Sequence, residues 1–222
     1  MVNGRNLANA KSFVLSIEPT IDTDPAPAPT KLLSGLFVDD EAMVSSTELV
    51  GDFTDKTGSY ILATPTDTET DLNNQTKGLW FVTGSITEGL SDLPALNAGW
   101  KYEGWVVVDG TPISTGTFSD TGVSDDNAMT NEFGGTTGTA YSFPGEDFLN
   151  GMSGDVEFNN DFTLLGQTVV ISVEPNPDNS PAPFALKPLA GMIPAGYTLF
   201  STLTMDTTTG PALTTLTGTV TR

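Results

Sequence analysis

Short runs of alternating apolar and polar residues recur along this chain, separated at close intervals by glycine and proline. Phe13, Leu15 and Ile17 alternate with Val14, Ser16 and Glu18, the period-two pattern of a half-buried strand. The run stops at Pro19. Asp24-Pro25-Ala26-Pro27-Ala28-Pro29 follows, a sequence that favours an extended path and cannot sit in a central strand. Further strands are expected at 58–64, 78–83, 100–108, 113–118, 156–162 and 167–173. Residues 197–205 and 213–220 read as a closing hairpin, with Tyr197, Leu199, Leu203 and Met205 on one face. Asp109-Gly110 is a hairpin turn signal, because both residues tolerate positive φ. The polar, glycine-rich stretch 122–138 reads as a long loop. Short helical turns are expected at 39–49 and 144–149, and a plain turn around Pro94. Nowhere do apolar residues keep the i, i+3, i+4, i+7 spacing of an amphipathic helix. The expected fold is all-β: one antiparallel β-sandwich with Greek-key-like connections over residues 13–222, preceded by a disordered tail or remnant at 1–12.

Composition sharpens this picture. The 222 residues include 34 threonines, 23 glycines and 15 prolines, a balance that leans toward strands and tight turns. Twenty-eight acidic residues face eight basic ones, for a net charge of −20, and there is no histidine or cysteine. A Ser-His-Asp triad, a thiolate nucleophile, a disulfide and the usual zinc sites are therefore excluded. So negative a surface repels phosphate backbones, so no nucleic-acid partner is expected. No apolar stretch approaches the ~20 residues of a membrane helix, and residues 1–10 lack the basic and apolar regions of a signal peptide. The expected location is the periplasm or the cell surface, with export or membrane association depending on a signal or anchor absent from this chain. Abundant acid with little lysine also suits high salt, where ions screen self-repulsion.

An internal repeat stands out. Residues 13–35 recur at 169–191 with a constant offset of 156 and no gap, and 11 of the 23 aligned positions are identical. Each copy runs from an apolar strand through Glu-Pro to an Asp-containing proline loop and a Lys-x-Leu-x-Gly segment. Too little chain follows the second copy for two full tandem domains, so both copies are expected to occupy related places in one domain. Glu18 and Glu174 are candidate binding residues if the paired loops form a recognition surface. In the plainer reading, each Glu, with Ser16 or Ser172 on its face, bonds neighbouring backbone or a lysine, and the prolines protect an edge strand.

Two segments resemble a known family. Leu93-Pro94-Ala95-Leu96-Asn97-Ala98-Gly99, the strand Tyr102-Glu103-Gly104-Trp105 and the turn leading to Gly116-Thr117-Phe118 are similar to the extracytoplasmic domain of anti-sigma-K factors. Val170 to Pro183 resembles that family's terminal Glu-Pro segment. The resemblance implies a β-sandwich held outside the cytoplasmic membrane. The chain lacks the family's membrane helix and sigma-binding segment, and it carries an additional Glu-Pro strand at its N-terminus. A non-enzymatic envelope domain is therefore expected, recognising a protein or glycan partner or serving a structural role.

Carboxylates are the only abundant reactive groups. Eighteen Asp and ten Glu offer many pairs, and none stands out as a glycosidase pair. Glu103 and Trp105 share one face of a strand with Lys101, while Trp100 and Tyr102 take the other. That face could be a sugar-binding platform, which makes a carbohydrate-binding module the alternative function; otherwise Trp105 belongs to the core. Asp120, Asp125 and Asp126, in an acidic glycine-containing loop, are candidate calcium ligands, and Asp22, Asp24 and Asp178 form a second acidic group. Calcium is the only cofactor these residue types suggest.

Overall fold

The computed structural model describes residues 7–67, 72–128, 132–178 and 180–222. The strands in chain order are β1 (Ser12–Ser16), β2 (Lys31–Val38), β3 (Glu41–Ser45), β4 (Thr57–Leu62), β5 (Gly78–Trp80), β6 (Trp100–Val108) and β7 (Thr111–Phe118). They continue with β8 (Gly145–Asp147), β9 (Met152–Ser153), β10 (Val156–Glu157), β11 (Thr168–Pro175), β12 (Leu189–Met192), β13 (Leu203–Asp206) and β14 (Thr217–Thr221). The only helical element among the described residues is a 3-10 segment, Leu72–Lys77. All pairings are antiparallel, so the all-β expectation holds.

The larger sheet has eight strands in the order β7-β6-β11-β12-β13-β4-β5-β8, and it curls until its ends approach. The loop after β7 bridges the seam: Asp126 N donates to Thr117 O at 2.8 Å, and Gly145 N donates to Asp125 Oδ2 at 3.0 Å. Such near-closure leaves little exposed sheet edge. A four-stranded sheet, β1-β2-β3-β14, lies beside it, and β9 and β10 form a separate ladder.

Alternation sets the layers. Val169, Ile171 and Val173 of β11 join Tyr102, Val106 and Val108 of β6 in the main core, with Tyr60, Leu62, Leu79, Phe81 and Met205. Residues of opposite parity build two small clusters on the outer wall: Trp105 with Val170 and Ala190, and Trp80 with Ile61, Ala63 and Val82. Ile17 and Leu32 of the first repeat pack on the main core. The β6–β7 turn is as expected, with φ of 47° at Asp109 and 89° at Gly110.

The repeat is structural as well as sequential. Phe13 pairs with Gly35, Val14 with Ser34 and Leu15 with Leu33; Val169 pairs with Gly191, Val170 with Ala190 and Ile171 with Leu189. Adding 156 to each member of the first set gives the second, so both copies fold into the same hairpin in the same register.

Four expectations are corrected. The helical turn expected over 39–49 is confined to its end, where Leu49 N and Val50 N both donate to Ser46 O at 3.1 and 2.9 Å; before it, Asp39 takes a φ of 52° in a tight turn and β3 follows, with Ala42 and Val44 buried between exposed Glu41 and Met43. Residues 144–149 are not helical but contain β8, Gly145–Asp147, paired with β5 through buried Glu146 and Asp147. The strand expected at 156–162 ends at Glu157; a turn capped by Asn159 then carries Phe158 and Phe162 into an aromatic cluster with Phe148. The closing hairpin does not form, because β13 pairs with β12 and β4 while β14 pairs with β3 in the other sheet. Asp206 Oδ1 accepts from Thr208 N and Thr209 N at 2.8 Å each, turning the chain between the two sheets. Of the expected tail, residues 1–6 lie outside the described residues. Residues 7–12 form a turn and the start of β1, and Ala10 O accepts from Arg222 Nη1.

Candidate functional site

The outer face where β6 meets β11 gathers three carboxylates. Ser172 lies opposite Glu103, and Glu174 opposite Lys101. Parity points Lys101, Glu103 and Trp105 outward, as expected, together with Ser172 and Glu174. The loop leaving β11 folds back over this face and adds Asp178. Lys101, Glu103, Thr117, Glu174, Asn176 and Asp178 help line a pocket of about 230 Å³. Glu103, Glu174 and Asp178 each offer an oxygen, and these oxygens lie within 4.8 Å of one another.

Each carboxylate has a defined set of partners. Glu103 Oε1 accepts from Ser114 Oγ at 2.5 Å. Glu174 Oε1 accepts from Ser172 Oγ and, at 2.8 Å, from Phe184 N, while its Oε2 is buried without a hydrogen-bond partner. Asp178 Oδ1 accepts from Ser180 N at 3.0 Å. Two ammonium groups of this neighbourhood are engaged elsewhere: Lys101 Nζ lies 2.6 Å from Asp126, and Lys187 Nζ donates to Phe184 O at 2.6 Å. Glu103 and Glu174 are only 6% and 1% exposed. Burial pushes the Glu103 carboxyl up to about 7, against the Ser114 hydrogen bond, and the neighbouring Glu174 and Asp178 add to the rise. Burial likewise raises Glu174, opposed by its bonds from Ser172 and Phe184 N.

Glu18, the counterpart of Glu174, has the same bonds in an open setting. It accepts from Ser16 Oγ and, through both oxygens, from Ala28 N at 3.1 Å each, and it is exposed. The Glu-Pro motif thus ties its loop back to its own strand in both copies. Asp22 accepts from Asp24 N as Asp178 does from Ser180 N. Asp22 and Asp178 therefore occupy equivalent places, and only Asp178 joins a three-carboxylate cluster among the described residues.

Trp105 is not a sugar platform. Its ring is 2% exposed, packed with Val170 and Ala190, and its Nε1 donates to Ser172 Oγ at 2.8 Å. Trp80 and Trp100 are also buried. The outward parity of Trp105 is real, but the second layer of side chains covers it.

Asp120, Asp125 and Asp126 are not brought together as a ligand set. Asp120 Oδ1 accepts from Gly122 N at 2.9 Å. Asp125 bonds Asn127 N and Gly145 N through its two oxygens. Asp126 bonds Lys101 and Thr117. Backbone amides and a lysine already hold these groups, and they pin the loop across the barrel seam.

A second buried acidic pair went unnoticed in the sequence. Asp147 accepts from Trp80 Nε1 at 2.7 Å and from Thr66 N at 2.9 Å, together with the Thr66 hydroxyl. Burial pushes Asp147 up to about 6 and the adjacent Glu146 up to about 8. All the partners of Asp147 are donors from its own fold, which gives it a structural role. Only the position of two acids beside Pro144 and Phe148 could have flagged the pair.

No known protein family, curated protein or solved structure matches the chain. What fold and site define is an acidic, all-β domain whose barrel wall carries a carboxylate-lined pocket.

Proposed function

We propose that this chain is a non-enzymatic recognition or structural module of the cell exterior, built on a scaffold like the extracytoplasmic domain of anti-sigma-K factors without the sigma-binding part. Its binding element is the free edge of β1, which accepts an antiparallel strand from a protein partner. The segments that carry the family resemblance, 93–118 and 170–183, contain β6, β7 and most of β11, which pair side by side. Their adjacency supports reading them as one unit.

The observation that carries the binding reading is the difference between the two repeats. Ile17 N donates to Thr30 O and Phe37 N to Lys11 O, so the odd-numbered residues of β1 bond β2, and Ser12, Val14 and Ser16 turn their backbone groups away. In the second repeat the equivalent Thr168, Val170 and Ser172 face Val107, Trp105 and Glu103 of β6. Among the described residues β1 has no such neighbour. The same hairpin is therefore flanked on one side of the molecule and open on the other, and an open edge is a ready template for strand addition. The partner strand sets a basic residue opposite Glu18, as β6 sets Lys101 opposite Glu174. The net charge of −20 favours a basic partner further.

A synthetic peptide with the sequence of residues 100–108 carrying Glu103→Gln, so that it brings no third carboxylate and needs no metal, is the probe, read by hydrogen exchange. Binding should slow exchange at the Ser12 and Val14 amides. Val14→Pro, which removes an outward amide but no bond to β2, should abolish it. Unchanged exchange at both amides, or equal binding by the Val14→Pro variant, would remove the proposal.

A further inference from the structure

The structure assigns a divalent-cation site, best suited to calcium, to the pocket formed by Glu103, Glu174 and Asp178. It is independent of the β1 edge and lies on the other copy of the repeat. Three side chains from two strands and a loop converge there, their oxygens no more than 4.8 Å apart. Oxygens bound to one calcium at 2.3–2.6 Å can stand that far apart on opposite sides of the ion, so no rearrangement is needed.

Acidity alone would not make a site. The second observation is Glu174 Oε2, buried with no hydrogen-bond partner on a residue that is 1% exposed. Leaving a buried polar oxygen unpaired is costly, and here it belongs to a carboxylate in the wall of a pocket. Every other carboxylate contact in the site leaves room for a cation. Ser114 engages one oxygen of Glu103, and Ser180 N engages one oxygen of Asp178. Lys101 reaches away to Asp126 and Lys187 donates to the Phe184 carbonyl, so neither ammonium bonds a carboxylate of the trio, and the field of Lys187 offsets the charge of Glu174 only in part. Asn176 at the rim and solvent through the mouth complete the six to eight oxygens calcium takes.

The first repeat is an internal control. Glu18 and Asp22 repeat Glu174 and Asp178, with the same serine and backbone bonds. They lack a neighbouring strand to supply the third carboxylate, because β1 is at a sheet edge.

Terbium is a direct probe, since a bound ion is sensitised by nearby tryptophan. Trp105 Nε1 bonds Ser172, whose hydroxyl bonds Glu174. Wild type should give saturable, single-site terbium luminescence that calcium displaces, within the about 10⁻⁴–10⁻³ M range of extracellular calcium modules. Glu103→Gln and Asp178→Asn should each weaken binding at least tenfold, and Glu18→Gln should leave it unchanged. Asp178 lies on a surface loop, so its variant keeps the test valid even if Glu103→Gln misfolds. Non-saturating luminescence up to about 10 mM, ten times the upper limit of that range, overturns the assignment. So does equal binding by Asp178→Asn, or loss on Glu18→Gln matching that on Glu103→Gln.

Discussion

Replacing Glu103 with glutamine should flatten the pH dependence of stability in metal-free solution. Glu103 titrates at about 7 in the fold against 4.5 in the unfolded chain. A carboxyl raised on folding binds its proton more tightly in the native state. The stability this contributes is fully present below pH 4.5 and is lost as pH rises through 7. At about 1.4 kcal/mol per pH unit, the gap corresponds to about 3 kcal/mol lost between pH 4.5 and pH 8. At 6% exposure the group has little solvent to screen it. Glu103→Gln keeps a side chain able to accept from Ser114 but cannot ionise. Urea unfolding of both proteins at pH 5, 6, 7 and 8 with chelator present measures the difference. The wild-type minus variant curve should fall by about 2.5 kcal/mol across that range, or roughly 5–10 °C in melting temperature for a chain this long. Acids remote from Glu103 cancel in the subtraction; Glu174 and Asp178, which face it, are relieved of its charge in the variant and contribute in the same direction. Parallel curves for the two proteins would refute the buried-carboxyl account of Glu103, as would a wild type that gains on the variant as pH rises.

Asp147→Asn should cost about 2–3 kcal/mol in chemical denaturation, because an amide nitrogen must face one of the donors Trp80, Thr66 N or the Thr66 hydroxyl; an unchanged midpoint would contradict that bonding. Trp105→Phe should destabilise by about 1–2 kcal/mol through the lost bond to Ser172, and circular dichroism should show the β signal retained. Melting temperature should rise with added NaCl, since screening relieves repulsion within a chain of net charge −20; a fall with salt would count against surface acidity as the dominant destabilising term.

How much the sequence discloses depends on which interactions decide each feature. The strand over residues 100–108 and its Asp109-Gly110 turn were legible because local pattern and turn chemistry agree there. The repeat was legible by identity alone, and its common register follows from it. Residues 144–149 were not, since Glu146 and Asp147 carry no strand pattern and owe their place to β5 and to the bonds at Thr66 and Trp80. The closing hairpin failed for a similar reason. Nearness in sequence suggested that 197–205 and 213–220 would pair, whereas the capped turn at Asp206 sends β14 to another sheet. Of the pocket, Glu103, Glu174 and Asp178 were each candidates, but their convergence needed the β6–β11 pairing.

The two repeats separate what a motif encodes from what its setting adds. Both copies supply a serine, a glutamate that catches a backbone amide ten residues on, and an aspartate that turns the loop. Those bonds are local, so the same donors recur in the two places, although Ala28 N is shared by both oxygens of Glu18 and Phe184 N bonds only one of Glu174. Chemistry that depends on burial is not. Beside β6, Glu174 loses its water and meets Glu103, and the motif becomes a pocket wall with an oxygen lacking a partner. At the edge, Glu18 stays in solvent and the same strand keeps its outward amides. A strand laid along β1 would bury Glu18 as β6 buries Glu174. If that strand carried an acid at the Glu103 position, binding would build a second carboxylate trio and become calcium-dependent. If it carried a base there, the same edge would bind without metal.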